Sequence, residues 1–171
     1  RAVAHDQPVK FAAMEYVTKT SSHVPEWIGG IDVNGHIYAG IKIPDMDSLL
    51  VGFSPSTKVI GLDTVPAAGR PPVAWLIHLS FDAMVGLGTL LLLLGAWALY
   101  EWVRRRRLSP RRLFWLGGAV SGAAAIVAME CGWVVTEVGR QPWVVYQLQT
   151  TAQAATTNGG VYTSLSIVIV L

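Results

Sequence analysis

The chain has 171 residues, of which 52% are hydrophobic and 14% charged, and its formal net charge is +2. Soluble domains carry about 25% charged residues, so this composition indicates a membrane protein. It excludes a disordered chain and a cytosolic globular enzyme, and the single cysteine, Cys131 in an apolar run, excludes a disulfide scaffold.

The first part of the chain, residues 1–71, is polar, with six basic and seven acidic residues. Pro8 predicts the start of a short helix that reaches about Thr20. Asn34-Gly35 lies between two β-prone runs and predicts a small β-hairpin, because a type I′ turn needs two residues that tolerate positive φ. Residues 44–72 are rich in Pro, Gly, Ser and Asp and predict an extended loop on the membrane face.

The second part, residues 72–171, predicts spanning helices at about 73–103 and 110–138. Ser109 as N-cap and Pro110 as first helical residue mark the expected start of the second helix. A third apolar run, at 161–171, would extend about 16 Å into a hydrocarbon core of about 30 Å. We therefore expect a truncated third helix and a chain that is part of a longer polypeptide.

The predicted fold class is an all-α transmembrane bundle. It has two full helices in a hairpin and the start of a third, with an outer segment that holds a short helix and a small β-hairpin. The connection at residues 104–109 is rich in arginine, which predicts that it is cytoplasmic and that residues 1–71 and 139–160 lie on the outer face. This topological explanation of the arginines also makes nucleic acid an unlikely partner.

Ionisable residues inside the predicted helices are the candidates for function, because such groups are costly in a bilayer. Glu130 and Glu137 are seven positions apart and should share a helical face, with Trp133 and Arg140 near it. A structural alternative is an ion pair between Glu137 and Arg140 at i,i+3, with Glu130 hydrogen-bonded to a neighbouring helix. Asp82 is a candidate for a proton path or for pairing with a positive group on another helix.

Two other residues of the first helix are ambiguous by themselves. A lone methionine such as Met84 is most often a packing residue. His78 lies near the outer end of the helix, where a histidine is ordinary. Gly86 and Gly88 would allow a neighbouring helix or a flat ligand to approach closely.

Three motifs give the chain a resemblance to a known family. Residues 132–143 read GWVVTEVGRQPW and resemble the GWxxxExGRQPW signature of subunit I of cytochrome bd quinol oxidases. Residues 81–88, FDAMVGLG, resemble that family's FxxMVGLG helix, and residues 10–15, KFAAME, resemble the KxAAxE start of its quinol-binding loop. The resemblance covers essentially the whole chain. It implies that the chain corresponds to the part of subunit I that runs from the quinol loop, through two helices, to the beginning of the last helix.

The resemblance implies heme cofactors: a low-spin heme b, a high-spin heme b and a heme d. Met84 matches the axial ligand of the low-spin heme b iron, and Glu137 matches a ligand of a high-spin heme iron, with the identity of that heme left open. A thioether ligand opposite an imidazole suits electron transfer. Glu130 matches a buried acid and proton donor, and Arg140 matches an arginine that binds a heme propionate. Trp133, Gln141 and Trp143 match side chains near the macrocycles.

The resemblance also implies that Lys10 and Glu15 bind and oxidise quinol, and a base beside a cation suits the removal of protons from that substrate. The short outer segment suggests the short form of the quinol loop. Many family members have an arginine two residues before the axial methionine, where this chain has Asp82. The negative charge of Asp82 should lower the reduction potential of the low-spin heme. Asp82 and Glu130 remain candidates for a proton path.

The implied activity is quinol:O2 oxidoreduction in a bacterial or archaeal plasma membrane, with oxygen reduced to water and a proton gradient formed without pumping. The implied partners are N-terminal helices of subunit I that carry the histidine ligands, subunit II, a small single-helix subunit and the lipid bilayer. Ubiquinol and menaquinol fit equally well. The alternatives are a non-catalytic, heme-free membrane subunit and a proton or ion transporter that uses Asp82, Glu130 and Glu137.

Overall fold

The computed structural model describes residues 1–33, 36–156 and 159–170. Its short outer elements precede two long helices, and a small ribbon and a further apolar helix follow them. The helices are α1 Ala2–Asp6, α2 Pro8–Met14, α3 Met46–Gly52, α4 Ala74–Arg105, α5 Arg112–Trp133, α6 Thr151–Ala154 and α7 Gly160–Val170. The strands are β1 Glu26–Ile28, β2 Ile31–Val33, β3 His36–Tyr38, β4 Ile41–Ile43, β5 Trp143–Val145 and β6 Gln149–Thr150.

The helices α4 and α5 are long and apolar enough to cross a membrane. At about 1.5 Å per residue, the 32 residues of α4 extend about 48 Å, which exceeds a hydrocarbon core of about 30 Å. Contacts between the two helices follow opposite chain order, because Met84 meets Gly132 while Leu94 meets Gly117. Near the arginine-rich connection, the rings of Trp97 and Phe114 meet edge to face at 5.3 Å.

The second long helix starts later than predicted. It begins at Arg112, with Arg111 as N-cap, so the prediction that Ser109 caps it is wrong. The hydroxyl of Ser109 instead accepts a hydrogen bond from the Arg111 backbone N–H at 3.4 Å. At its other end α5 continues into a π-helical turn, Val134–Val138, that precedes Gly139.

The outer segment has more regular structure than the sequence predicts. The helix α2 stops at Met14 rather than near Thr20, because Tyr16 adopts a left-handed conformation with φ of 54°. Strand β1 pairs antiparallel with β4, and β2 with β3, so this segment has two ribbons rather than one. The predicted turn at Asn34-Gly35 lies outside the described residues.

The predicted extended loop at residues 44–72 is also wrong, because it contains α3 and two 3-10 turns, Leu62–Thr64 and Ala67–Gly69. The hydroxyl of Ser48, in α3, accepts a hydrogen bond at 2.9 Å from the backbone N–H of Val24. This contact between residues far apart in the chain stabilises a helix that has no side-chain N-cap of its own.

The buried core joins the outer segment to the membrane helices. Its outer members include Phe11, Ala12 and Val59, and it continues to Ile77 of α4 and Val135 of the π-helical turn. The outer segment is therefore packed on the ends of both long helices, and this contact positions the candidate site.

Candidate functional site

The first group of candidate residues surrounds the π-helical turn. Arg140 donates a hydrogen bond from Nη2 to Oε2 of Glu137 at 2.6 Å, which is the i,i+3 pair of the structural alternative. The side chain of Glu137 is 53% exposed and that of Arg140 is 43% exposed. Trp133 is exposed one turn earlier. Single π-helical turns within helices often occur at functional sites.

Residues after Gly139 form a compact structure beside this turn. Gln141 accepts a hydrogen bond from the hydroxyl of Thr151, and Trp143 begins strand β5, which pairs with β6. The helix α6 that follows has a complete capping box between Thr150 and Gln153. These contacts hold Gln141 and Trp143 at the end of the second long helix.

A cavity of about 100 Å³ connects this group with the outer segment. It is lined by Lys10 of α2 together with Arg140, Gln141 and Trp143. Burial lowers the pKa of Lys10, the Arg140 charge lowers it further, and the Glu137 charge opposes both effects. The structure thus brings a predicted quinol residue beside the residues of the GRQPW motif.

The second group surrounds Glu15, which immediately follows α2. Glu15 is 4% exposed, and burial raises its pKa to about 7, with further contributions from the charges of Glu26 and Asp82. A carboxyl group with a pKa near 7 can take up and release protons at physiological pH. Lys10 and Glu15, predicted to act together, therefore face different groups of charged residues.

Asp82 lies on α4 and contacts the outer segment. It accepts a hydrogen bond from the backbone N–H of Gly29, which has a positive φ of 67°. Its Oδ2 is also 3.5 Å from Nε2 of His78 on its own helix. The partners of Asp82 are thus a backbone amide and a histidine on α4, rather than a cation on another helix.

Met84 and Glu130 are the remaining candidates inside the long helices. Met84 is half-buried, and its sulfur lies 3.2 Å from the point that a Cβ on Gly132 would occupy. Glu130 is exposed. Within residues 1–33, 36–156 and 159–170, no group of three or more His, Cys, Asp or Glu side chains could hold a metal ion.

Sequence reasoning missed two buried residues near Glu15. His78 is 3% exposed and contacts the outer segment, and the available signal was its i,i+4 spacing to Asp82. Asp47 of α3 is fully buried, and neither of its carboxyl oxygens has a hydrogen-bond partner among the described residues. Burial raises the pKa of Asp47 to about 8, with the charges of Glu15 and Glu26 adding to the effect. Its place in a Pro- and Asp-rich stretch gave no sign of burial.

Two apolar helices of spanning length, with a folded segment packed on their ends, are the architecture of a helical membrane protein. The family model for cytochrome bd terminal oxidase subunit I matches residues 1–171, and the chain belongs to this family. The resemblance identified from the three motifs is thereby confirmed.

Individual relatives agree with the family assignment. The chain is 37% identical over 160 residues to a putative cytochrome bd menaquinol oxidase subunit I of Bacillus subtilis, covering 91% of this chain and 35% of the relative. It is 35% identical over 110 residues to the cytochrome bd-II ubiquinol oxidase subunit 1 of Escherichia coli, covering 57% of this chain and 18% of the relative. The solved bd oxidase of Geobacillus thermodenitrificans matches with a TM-score of 0.78 and 35% identity, over 96% of this chain and 38% of that one.

The chain thus spans just over a third of the length of the first Bacillus relative and of the solved Geobacillus chain. It is homologous to a subunit of respiratory quinol oxidases that act as membrane complexes.

Proposed function

We propose that this chain supplies the quinol-oxidising surface and two of the heme ligands of a cytochrome bd-type oxidase, which oxidises membrane quinol and reduces oxygen to water. The observation that carries the proposal is the buried Glu15, whose pKa of about 7 suits a proton acceptor, at the contact between the outer segment and α4. The family membership and the two groups of charged residues at this contact support it.

Glu15 acts as the base for quinol oxidation. Below pH 7 its carboxyl group is mostly protonated and cannot accept a proton, and above pH 7 it is mostly ionised and can. The rate of quinol oxidation should therefore rise with pH through about 7. Glu15 is buried, so the proton that it accepts is not released directly to bulk water.

Lys10 binds quinol oxygen in the cavity that it shares with the GRQPW residues. The cavity offers an ammonium group, an amide and an indole N–H from Lys10, Gln141 and Trp143. Because burial and Arg140 lower the pKa of Lys10, its proton is easier to give up than that of an exposed lysine. Lys10 and Glu15 would thus act on the substrate from two sides.

The donors on the long helices fit heme. Glu137 and Trp133 are exposed at the π-helical turn, and no atom of the described residues outside the local helix backbone lies within 4 Å of the point that a Cβ would occupy on Gly86 or Gly88. Met84 would hold the low-spin heme b, and Glu137 a high-spin heme b or heme d. When bound, these groups supply electron transfer and oxygen chemistry. Arg140, Gln141, Trp143 and Trp133 would bind their edges and propionates, for which Arg140 must leave Glu137.

Glu130 and Asp82 are the proposed proton-path residues. Protons for water formation would come from the cytoplasmic side and quinol protons would leave on the outer side, which creates a gradient without pumping. This requires residues 1–71 and 139–160 on the outer face and the connection at 104–109 in the cytoplasm. The arginine content of that connection supports this orientation.

Large apolar side chains on the outward faces of α4 and α5 are exposed, including Leu90, Leu92, Leu116 and Ile126. Lipid and further helices would cover them. We propose the N-terminal helices of subunit I with their histidine ligands, subunit II and a small single-helix subunit as these partners.

The decisive experiment measures quinol-dependent oxygen uptake from pH 5.5 to 8.5 in the assembled complex that contains this chain. The Glu15→Gln variant should lose most of the activity and the rise through about pH 7, whereas Asp6→Asn, at an exposed aspartate, should leave both unchanged. A Glu15→Gln complex with wild-type rates and pH profile would contradict the proposed base.

A redox-difference absorption spectrum of the same complex tests the heme ligand on α4. Met84→Leu should remove the low-spin heme signal, and Met129→Leu, at an exposed methionine of α5, should preserve it. An unchanged spectrum in Met84→Leu would overturn the axial assignment. A wild-type complex without heme would instead favour the heme-free subunit or the transporter.

A further inference from the structure

The two ribbons of the outer segment carry an exposed apolar surface. In the β1–β4 ribbon, Ile28 lies directly opposite Ile41. In the β2–β3 ribbon, Ile31 lies directly opposite Tyr38. These four residues are between 43% and 65% exposed. Opposed side chains on paired strands lie about 5 Å apart, so each pair presents a joined apolar area. We call the four residues the ribbon surface.

The two pairs lie beside the point where the ribbons meet. Gly29 and Gly30 join β1 to β2, and Gly40 immediately precedes β4. A Cβ on Gly40 would lie 3.0 Å from both the carbonyl oxygen of Gly29 and Cγ2 of Ile37, so the ribbons approach each other closely here. Each residue of the ribbon surface is one or two positions from one of these glycines. The ribbon surface is therefore grouped around one contact between the ribbons.

The arginine-rich connection locates α4 relative to the bilayer. Basic side chains at the end of a spanning helix lie at the headgroups, so Arg104 marks one edge of the hydrocarbon core. A core about 30 Å thick takes about 20 helical residues at about 1.5 Å each, which places the other edge near Met84. The first residues of α4, from Ala74 to Asp82, therefore lie outside the hydrocarbon core.

The ribbons are attached to α4 at this second edge. The backbone N–H of Gly29 donates a hydrogen bond to Asp82, which precedes the edge by about 3 Å of helix. The carbonyl oxygen of Gly29 is 3.3 Å from Nε2 of His78, one turn nearer the start of α4. Ile28 and Ile31 are at most about 7 Å from Gly29 along the chain. Since the headgroups extend about 5–8 Å beyond the core on each side, these contacts place the ribbon surface at headgroup depth.

The side chains of the ribbon surface and its surroundings suit this depth. Tyr38 has an aromatic ring with a polar tip, a combination that is enriched where a bilayer meets water. Lys42, next to Ile41, is exposed, and its ammonium lies 5.6 Å from the centre of the Trp27 ring. A lysine in this position can lay its apolar stem along the surface and direct its charge to lipid phosphates. Apolar, aromatic and basic groups thus occur together, as they do on surfaces that bind the bilayer interface.

We propose that the ribbon surface contacts lipid, with the headgroups and the upper acyl chains of the bilayer covering its four apolar side chains. The inference is independent of the role of Glu15 in quinol oxidation. It follows from the depth at which Gly29 meets α4 and from the combination of apolar, aromatic and basic side chains. Lipid contact then holds the ribbons at the bilayer, in addition to their hydrogen bonds with Asp82 and His78.

The test attaches a bimane fluorophore to the assembled complex, after its native cysteines have been replaced by serine. The label is placed at Ile31→Cys on one ribbon or at Ile41→Cys on the other, and Ser56→Cys, at an exposed polar residue of the outer segment, is the control. The complexes are reconstituted in vesicles of phosphatidylcholine and phosphatidylglycerol, with or without bromine on the acyl chains near the headgroup. We expect brominated lipid to quench the two ribbon labels by about half and the Ser56 label by less than about a tenth.

Three results would overturn the proposal. Unquenched ribbon labels with the emission of a water-exposed fluorophore would show that the ribbon surface faces water. Unquenched ribbon labels with blue-shifted emission would show that another polypeptide covers it. Equal quenching at Ser56 and at both ribbon positions would show that lipid contact is not a property of the ribbon surface.

A second measurement uses the wild-type complex and needs no variant. Light converts an apolar diazirine dissolved in the bilayer to a carbene that inserts into groups in contact with lipid, and mass spectrometry of the peptides locates the products. Strands β1 and β4 should be modified, as should the exposed Leu92 of α4, whereas the residues around Ser56 should not. Modification of α4 without modification of either ribbon would contradict lipid contact.

Discussion

Replacing Asp47 by asparagine should stabilise the outer segment at neutral and alkaline pH. Asp47 is fully buried, and within the part of the chain that the structure describes its two carboxyl oxygens have no hydrogen-bond partner. Burial raises its pKa from 3.8 to about 8, with the charges of Glu15 and Glu26 adding to the effect. Because one pKa unit corresponds to about 1.4 kcal/mol, ionisation of this side chain opposes folding by about 6 kcal/mol above pH 8. Asparagine has nearly the shape of the protonated acid and carries no charge, so it avoids this cost.

The sign of the pH dependence follows from linkage. Between pH 4 and pH 8 the folded protein keeps a proton on Asp47 that the unfolded chain has released, so folding stability falls as pH rises through this window. The advantage of Asp47→Asn should therefore be near zero at pH 4, grow by about 1.4 kcal/mol per pH unit, and level off above pH 8.

Hydrogen exchange of the α3 amides, read by mass spectrometry in the assembled complex, measures local opening of this region. After correction for intrinsic exchange rates, the variant should exchange up to about 10,000-fold more slowly than wild type at pH 8, and about tenfold more slowly at pH 5. Asp6→Asn, at an exposed residue, serves as the matched control. Equal protection at pH 8, or a gain of the same size at both pH values, would refute the reasoning.

Two glycine substitutions test the packing of the helices and of the outer segment. A Cβ at Gly132 would lie 3.2 Å from the sulfur of Met84, so Gly132→Ala should displace that side chain and alter the low-spin heme spectrum. Gly118→Ala, where nothing lies within 4 Å, should leave the spectrum unchanged, and identical spectra for both variants would contradict the contact. A Cβ at Gly61 would meet a neighbouring backbone at 2.5 Å, so Gly61→Ala should cost about 1–3 kcal/mol of stability and increase proteolysis of residues 1–71. Gly69→Ala, with its nearest contact at 3.8 Å, should be tolerated, and equal protease resistance of the two would contradict the clash.

The long helices were predictable because their signals are local. A run of apolar residues, the arginines after it and the Gly139 that ends the second helix all lie within the segments that they define. The family motifs are equally local in sequence. The elements that depend on tertiary contacts were not predicted. One of them is α3, in which the Ser48 hydroxyl accepts a hydrogen bond from the backbone N–H of Val24, 24 positions earlier.

The relation between Glu130 and Glu137 shows a second limit. Counting seven positions places both on one face of a regular helix. The π-helical turn Val134–Val138 adds a residue to one turn between them, which rotates the later residues by about 100° relative to that count. In the structure, Glu137 lies beside Arg140. No periodicity in the sequence predicts the π-helical turn itself.

The neighbourhood of His78 and Asp82 also lay beyond sequence reasoning. Their i,i+4 spacing was visible, but the partners that give it meaning, Met14 and Gly29, come from the outer segment. The burial of His78 therefore depends on residues 1–71, which pack on the end of α4.

The continuous core between the outer segment and the two long helices has a consequence for the whole assembly. Ile77 of α4 and Val135 of the π-helical turn belong to the same buried cluster as Phe11 and Val59. The separation of the two helix ends is therefore set by their buried packing against residues 1–71. Changes in membrane thickness or composition should leave the spacing of Met84 and Glu137 largely unaltered, whereas a small loss of packing in residues 1–71 would change it.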